Sequence, residues 1–150
     1  MKKEMNNKGF SLVELIIVIA IMAILVVVLA PQYLKYVERS RNSTDLQNAT
    51  EMVTAIQTYA ADPEAPDAFA NGDVFEIEAT ASGTTIGGAA ATKAQAALTS
   101  AAIDTTSISC KSKSKWTTYK IKGTVQPDGS IDFEYTGPDF EAAMNGKTTS

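Results

Sequence analysis

The sequence predicts an α+β protein: a long N-terminal α-helix, its hydrophobic half protruding and its amphipathic half packed on a small antiparallel β-sheet head. Three observations predict it. Residues 10–30 form an apolar run in which only Ser11 and Glu14 are polar. Residues 49–60 carry apolar side chains at helical spacing. Residues 117–135 alternate apolar and polar around a Pro127-Asp128-Gly129 turn.

The apolar run comes first. At about 1.5 Å per residue it spans roughly 30 Å, the thickness of a bilayer's hydrocarbon core. A domain of this size does not easily hide a helix that is apolar on all sides. A secretory signal peptide has a shorter apolar region, and a cut after Ala30 would put Pro31 directly past the scissile bond. A plain signal anchor fits the length. Its orientation is weakly set, because Lys2, Lys3 and Lys8 precede the run and Lys35, Arg39 and Arg41 follow it. Such an anchor also has no use for Glu14, since a carboxylate at the bilayer centre costs about 3 kcal/mol, and less near the interface. Ser11-Leu12-Val13-Glu14 fits a capping box, a helix-start device worth about 1 kcal/mol. The positive end of the helix dipole favours a carboxylate there as well.

Pro31 sits inside the helical pattern, where it removes one backbone hydrogen bond. It implies either a kink or a stretch, Leu25–Pro31, that melts locally. From Gln32 to Ala60 neither Gly nor Pro occurs. Ala49, Met52, Val53, Ile56, Tyr59 and Ala60 make one stripe, so residues 32–60 form the amphipathic half. The polar stretch Glu38–Asp45 is a place for a bend. Asn42-Ser43-Thr44 and Asn48-Ala49-Thr50 match the glycosylation acceptor pattern, but both lie in the expected helix. Asp62-Pro63 ends that helix.

The head is expected over residues 61–150. Residues 61–104 read as a loop region, loosely packed, with a short edge strand at Phe75–Ala79 and a short helix at Ala89–Ala102. The sheet is expected at about 105–136: a strand at Ser107–Cys110, then the hairpin of Thr117–Val125 and Ile131–Tyr135, with Lys facing Asp and Glu on the solvent side. Cys110 reads as a small buried residue of the first of these strands. The tail from Gly137 is expected either to be held by Phe140 and Met144 or to be mobile.

Composition narrows the chemistry. The chain of 150 residues has a net charge of −4, and the three Lys and one Glu of its first nine residues leave the remainder at −6. That balance argues against a dedicated nucleic-acid binder. With no His, Ser-His-Asp and Cys-His catalysis are excluded. One Cys supports neither an intrachain disulfide nor a structural zinc site. No phosphate loop and no metal-ligand spacing appear, so no enzyme activity and no cofactor are expected. Asp62 and Glu64 read as solvated. Lys111-Ser112-Lys113-Ser114-Lys115-Trp116 reads as a solvated turn with Trp116 partly packed, or as a contact for DNA or an anionic surface helped by stacking.

The order basic leader, Gly9, Phe10-Ser11-Leu12-Val13-Glu14-Leu15, apolar helix and Pro31 resembles a type IV prepilin with a class III leader peptide. The resemblance covers residues 2–45 and, beyond residue 60, extends only to a pilin-like architecture. It implies that residues 1–9 are a leader, kept on the cytoplasmic side by Lys2, Lys3 and Lys8. A prepilin peptidase would cut between Gly9 and Phe10, and the new amine of Phe10 would be methylated. Residues 10–31 would form the transmembrane and filament-core helix, with Pro31 where pilins commonly place a proline in the first helix. Glu14 would attract the Phe10 amine of a neighbouring subunit, an attraction of roughly 4 kcal/mol at 4 Å and an effective dielectric near 20. Each charge is costly alone in hydrocarbon and tolerable when paired.

The implied function is the structural subunit of a type IV pilus, and the intact Glu14 favours a major over a minor pilin. The alternatives are a pseudopilin of a type II-like secretion system and a membrane-tethered extracellular binding module. The implied partners are further copies of the chain, the peptidase, and a membrane assembly platform with ATPase-driven machinery. The inner or cytoplasmic membrane holds the single-pass subunit before it joins an extracellular pilus, and nucleic acid stands last among partners. Many pilins close the C-terminal region with a disulfide, which this sequence cannot form.

Overall fold

The computed structural model describes residues 8–146. Lys2 and Lys3, most of the expected leader, and the last four residues of the tail lie outside the described residues. The chain divides after Val37 into two compact units. Helix α1, Leu12–Ala60, contributes to both.

The first unit is the apolar part of α1. Residues 8–36 are exposed throughout, as the absence of any polar face requires. This stretch is long and apolar enough to cross a membrane. No Gly occurs in α1, and its helical backbone continues through Pro31.

In the second unit the rest of α1 joins a four-stranded sheet and two short helices. These are β1 (Val74–Thr80), β2 (Gly83–Gly87), α2 (Ala91–Ser100), β3 (Tyr119–Val125), β4 (Ile131–Thr136) and α3 (Pro138–Met144). The sheet is antiparallel throughout, in the order β2-β1-β3-β4. Phe75, Ile77 and Ala79 of β1 and Tyr119, Ile121 and Val125 of β3 are buried. All but Val125 share one core with Ala49, Met52, Ile56 and Tyr59 of α1 and with Leu98 of α2. On the opposite face Lys120 bridges Glu76 at 3.0 Å and Glu78 at 3.4 Å, and Lys122 meets Glu134 at 3.0 Å. The expected Lys–carboxylate face is therefore present.

Two expectations need correction. Ser107–Cys110 is not a strand. It is tied to the sheet's margin by the Cys110 amide, which donates to the Thr80 carbonyl at 2.9 Å, and by Thr84 Oγ1, which donates to the Ile108 carbonyl at 2.8 Å. The third strand is β1, and it lies inside the sheet rather than at its edge. β1 wins because its three inward residues are apolar and both outward carboxylates meet Lys120, whereas Ser107–Cys110 is short and half polar. The Ala-rich segment is not loose either. Ala90, Ala94, Ala97 and Leu98 are buried, and small side chains let α2 lie close to its neighbours.

A close approach also occurs at Gly123. The Phe75 ring lies directly over it, held by Phe69 and Phe133 with ring centroids at 5.6 and 6.3 Å, and a Cβ there would overlap the ring. The tail forms α3, entered through Gly137 at φ +102° and started by Pro138, whose fixed φ suits a first turn. Phe140 is fully buried, stacked on Tyr119 at 4.5 Å and edge-on to Trp116 at 5.3 Å. Of the two outcomes expected for the tail, the described part shows the first, with Met144 also against the core.

Candidate functional site

The segment around Gly9 and Glu14 is built by the start of α1. Gly9 has open space around it, and Phe10 is 89% exposed. Ser11 is the residue before the first helical turn, so Glu14 occupies its third position. The Ser11 amide donates to Glu14 Oε2 at 3.0 Å, and the Leu15 amide donates to the Ser11 carbonyl at 3.2 Å. Glu14 thus satisfies one of the amides that a helix start leaves without an intrahelical partner, as half of a capping box does. The amide that Glu14 caps belongs to the residue directly after Phe10. Pro31 lies 17 residues further along α1, with helix on both sides.

A second constellation was not read from the sequence. Two carboxylates of α1 clasp the 110–116 loop. Asp45, fully buried, accepts from the Lys111 amide at 2.7 Å, the Ser112 amide at 2.8 Å and Trp116 Nε1 at 2.9 Å. Glu38 accepts from Ser112 Oγ at 2.9 Å and from the Lys113 and Ser114 amides at 2.6 and 2.8 Å. Those two amides, above all that of Lys113, hold the Glu38 carboxyl down to about 2. Burial, and then the nearby Asp45 carboxylate, push the Cys110 thiol up to about 12. A usable signal existed: Asp45 lies four residues before Ala49 and seven before Met52, on the apolar stripe itself. An acid at such a position points to a buried set of donors.

Of the two readings of the lysine run, the clasp fits the first, a solvated turn with Trp116 packed. Trp116 is only 8% exposed, donates to Asp45 and meets Phe140, so it offers no face to a nucleotide base. Cys110 is buried as expected, though in a loop rather than a strand. Asn42 and Asn48 both lie within α1. Among the described residues no group of three or more Cys, Asp or Glu could hold a metal ion.

Residues 5–30 match the prokaryotic N-terminal methylation motif. The type IV major fimbrial protein FimA of Dichelobacter nodosus is 40% identical over 78 residues, 51% of this chain and 50% of its own length. These matches support a type IV pilin. A second pilin, the type IV major pilin protein PilA of Myxococcus xanthus strain DK1622, is 35% identical over 66 residues. That match covers 44% of this chain and 30% of PilA. The chain therefore spans half the length of these pilins or less. No solved structure matches. The type IV pilins that the chain resembles are structural subunits, not enzymes.

Proposed function

We propose that this chain is the subunit of a type IV pilus, cut between Gly9 and Phe10, methylated on Phe10, and polymerised through its N-terminal helix. The observation that carries the reading is Glu14: one carboxylate in a helix otherwise apolar from Leu12 to Ala30, five places past Gly9 and inside the matched methylation motif. A membrane helix does not keep such a charge without a partner. In this reading residues 1–9 are the leader and residues 10–31 hold the subunit in the membrane and later line the filament core. Residues 32–60 carry the head, 61–150, and Pro31 marks the stretch that loosens on packing. Peptidase, assembly platform and ATPase are the machinery that this route requires. The fimbrial and pilin relatives support a surface filament as the destination.

Mass spectrometry of fibres sheared from cells tests the cut and the modification. The expected N-terminus is N-methylated Phe10, and fibres built from chains beginning at Met1 overturn the proposal. The pairing role has its own test. Glu14→Val is expected to leave membrane insertion intact and to reduce fibre yield strongly, because an amine in hydrocarbon then lacks its counter-charge. Fibres of ordinary number and length from Glu14→Val would remove that role.

A further inference from the structure

Charge in the head is sorted along α1. No Lys or Arg occurs between residues 42 and 92. Three lysines of the head are spent in ion pairs: Lys93 with Asp73 at 2.7 Å, Lys120 with Glu76, and Lys122 with Glu134. Lys111, Lys113 and Lys115 are exposed and, among the described residues, in no ion pair. Their loop is held rigid from beneath, because Asp45 and Glu38 accept its amides while Ser112 and Trp116 point inward. A shallow cleft of about 530 Å³, lined in part by Arg41, Thr44, Lys111 and Lys113, opens on the same side. At the other end of this part of α1, Asp62, Glu64 and Asp67 are exposed and in no ion pair among the described residues. From Glu38 to Ala60 the helix rises about 33 Å, several Debye lengths at physiological salt. The two groups therefore do not neutralise one another within one head.

We propose that the basic loop of one head docks on the acidic 62–67 segment of a second copy. The contact joins unlike ends, so it is heterologous, and it propagates as an open helical polymer where its rotation does not close a ring. It steers and registers subunits through complementary charge, with the loop's rigidity reducing the ordering cost on contact. The inference rests on the polymer reading above and adds to it the head surface that meets the neighbour.

The test uses the full chain in cells. Changing Lys111, Lys113 and Lys115 to Glu is expected to lower sheared-fibre yield roughly tenfold, as is changing Asp62, Glu64 and Asp67 to Lys. Combining the two sets is expected to restore much of the yield. A cysteine pair tests the contact without reversing charge. A chain carrying both Lys113→Cys and Glu64→Cys should give an oxidised ladder of multimers from fibres, while either substitution alone gives none. Cys110 is buried and does not compete. Ordinary yield from the reversed variants, or no ladder from intact double-cysteine fibres, overturns the contact and leaves the lysines to some other anionic partner. Absence of fibres from the unaltered chain is a different result, and it defeats the polymer reading instead.

Discussion

Asp45 is a fully buried carboxylate on which several donors converge, and its removal should cost most. Asp45→Ala leaves two loop amides and the Trp116 indole without an acceptor, a loss of about 3 kcal/mol or more. The chain has one Trp, buried beside this carboxylate, so urea unfolding in micelles followed by its fluorescence reads the loss directly. Asp45→Asn, which keeps one acceptor oxygen, should lose less. Glu38 predicts a pH dependence. Its folded value of about 2 lies below the ordinary 4.5, so its stabilisation is fully present above pH 4.5 and is lost as pH falls through about 2. Glu38→Gln should flatten the Trp116 signal across that window. Asp45's place on the apolar stripe signals a buried set of donors, but the sequence does not show which groups they are. Polarity along a helix shows which residues are charged, but the partners lie more than 60 residues away.

At the scale of elements, a well-read one has its periodicity filled by large side chains. The stripe from Ala49 to Tyr59 and the hairpin of β3 and β4 are of that kind, and their burial follows the pattern. The third strand was misplaced because strand pairing is a competition between segments, and alternation in one segment says nothing about its rivals. β1 prevails through Phe75, whose ring fills the space left by Gly123 on the paired strand. That fit predicts a specific coupling. Gly123→Ala should destabilise by about 1–3 kcal/mol, since a buried ring must move. Phe75→Leu in the same chain should recover part of that loss. A double-mutant cycle measured by denaturant melts checks this, and strict additivity would refute the proposed overlap.

For the whole molecule, the long apolar helix and its Ser11–Glu14 start were legible, because a membrane-length apolar run with a capping pattern at its head admits few alternatives. The head was legible as α+β but not in its closure. Phe140 was named as one of two possible fates for the tail, and nothing local indicated that it would sit among Trp116, Tyr119 and Tyr135. Phe140→Ala should remove about 3–5 kcal/mol by emptying that site, read as a lower thermal midpoint in micelles. What closes this head is thus an aromatic plug and two carboxylates, all reversible contacts. Such a head matures without any electron acceptor. A reducing bath that loosens cystine-stapled domains would leave this head unchanged.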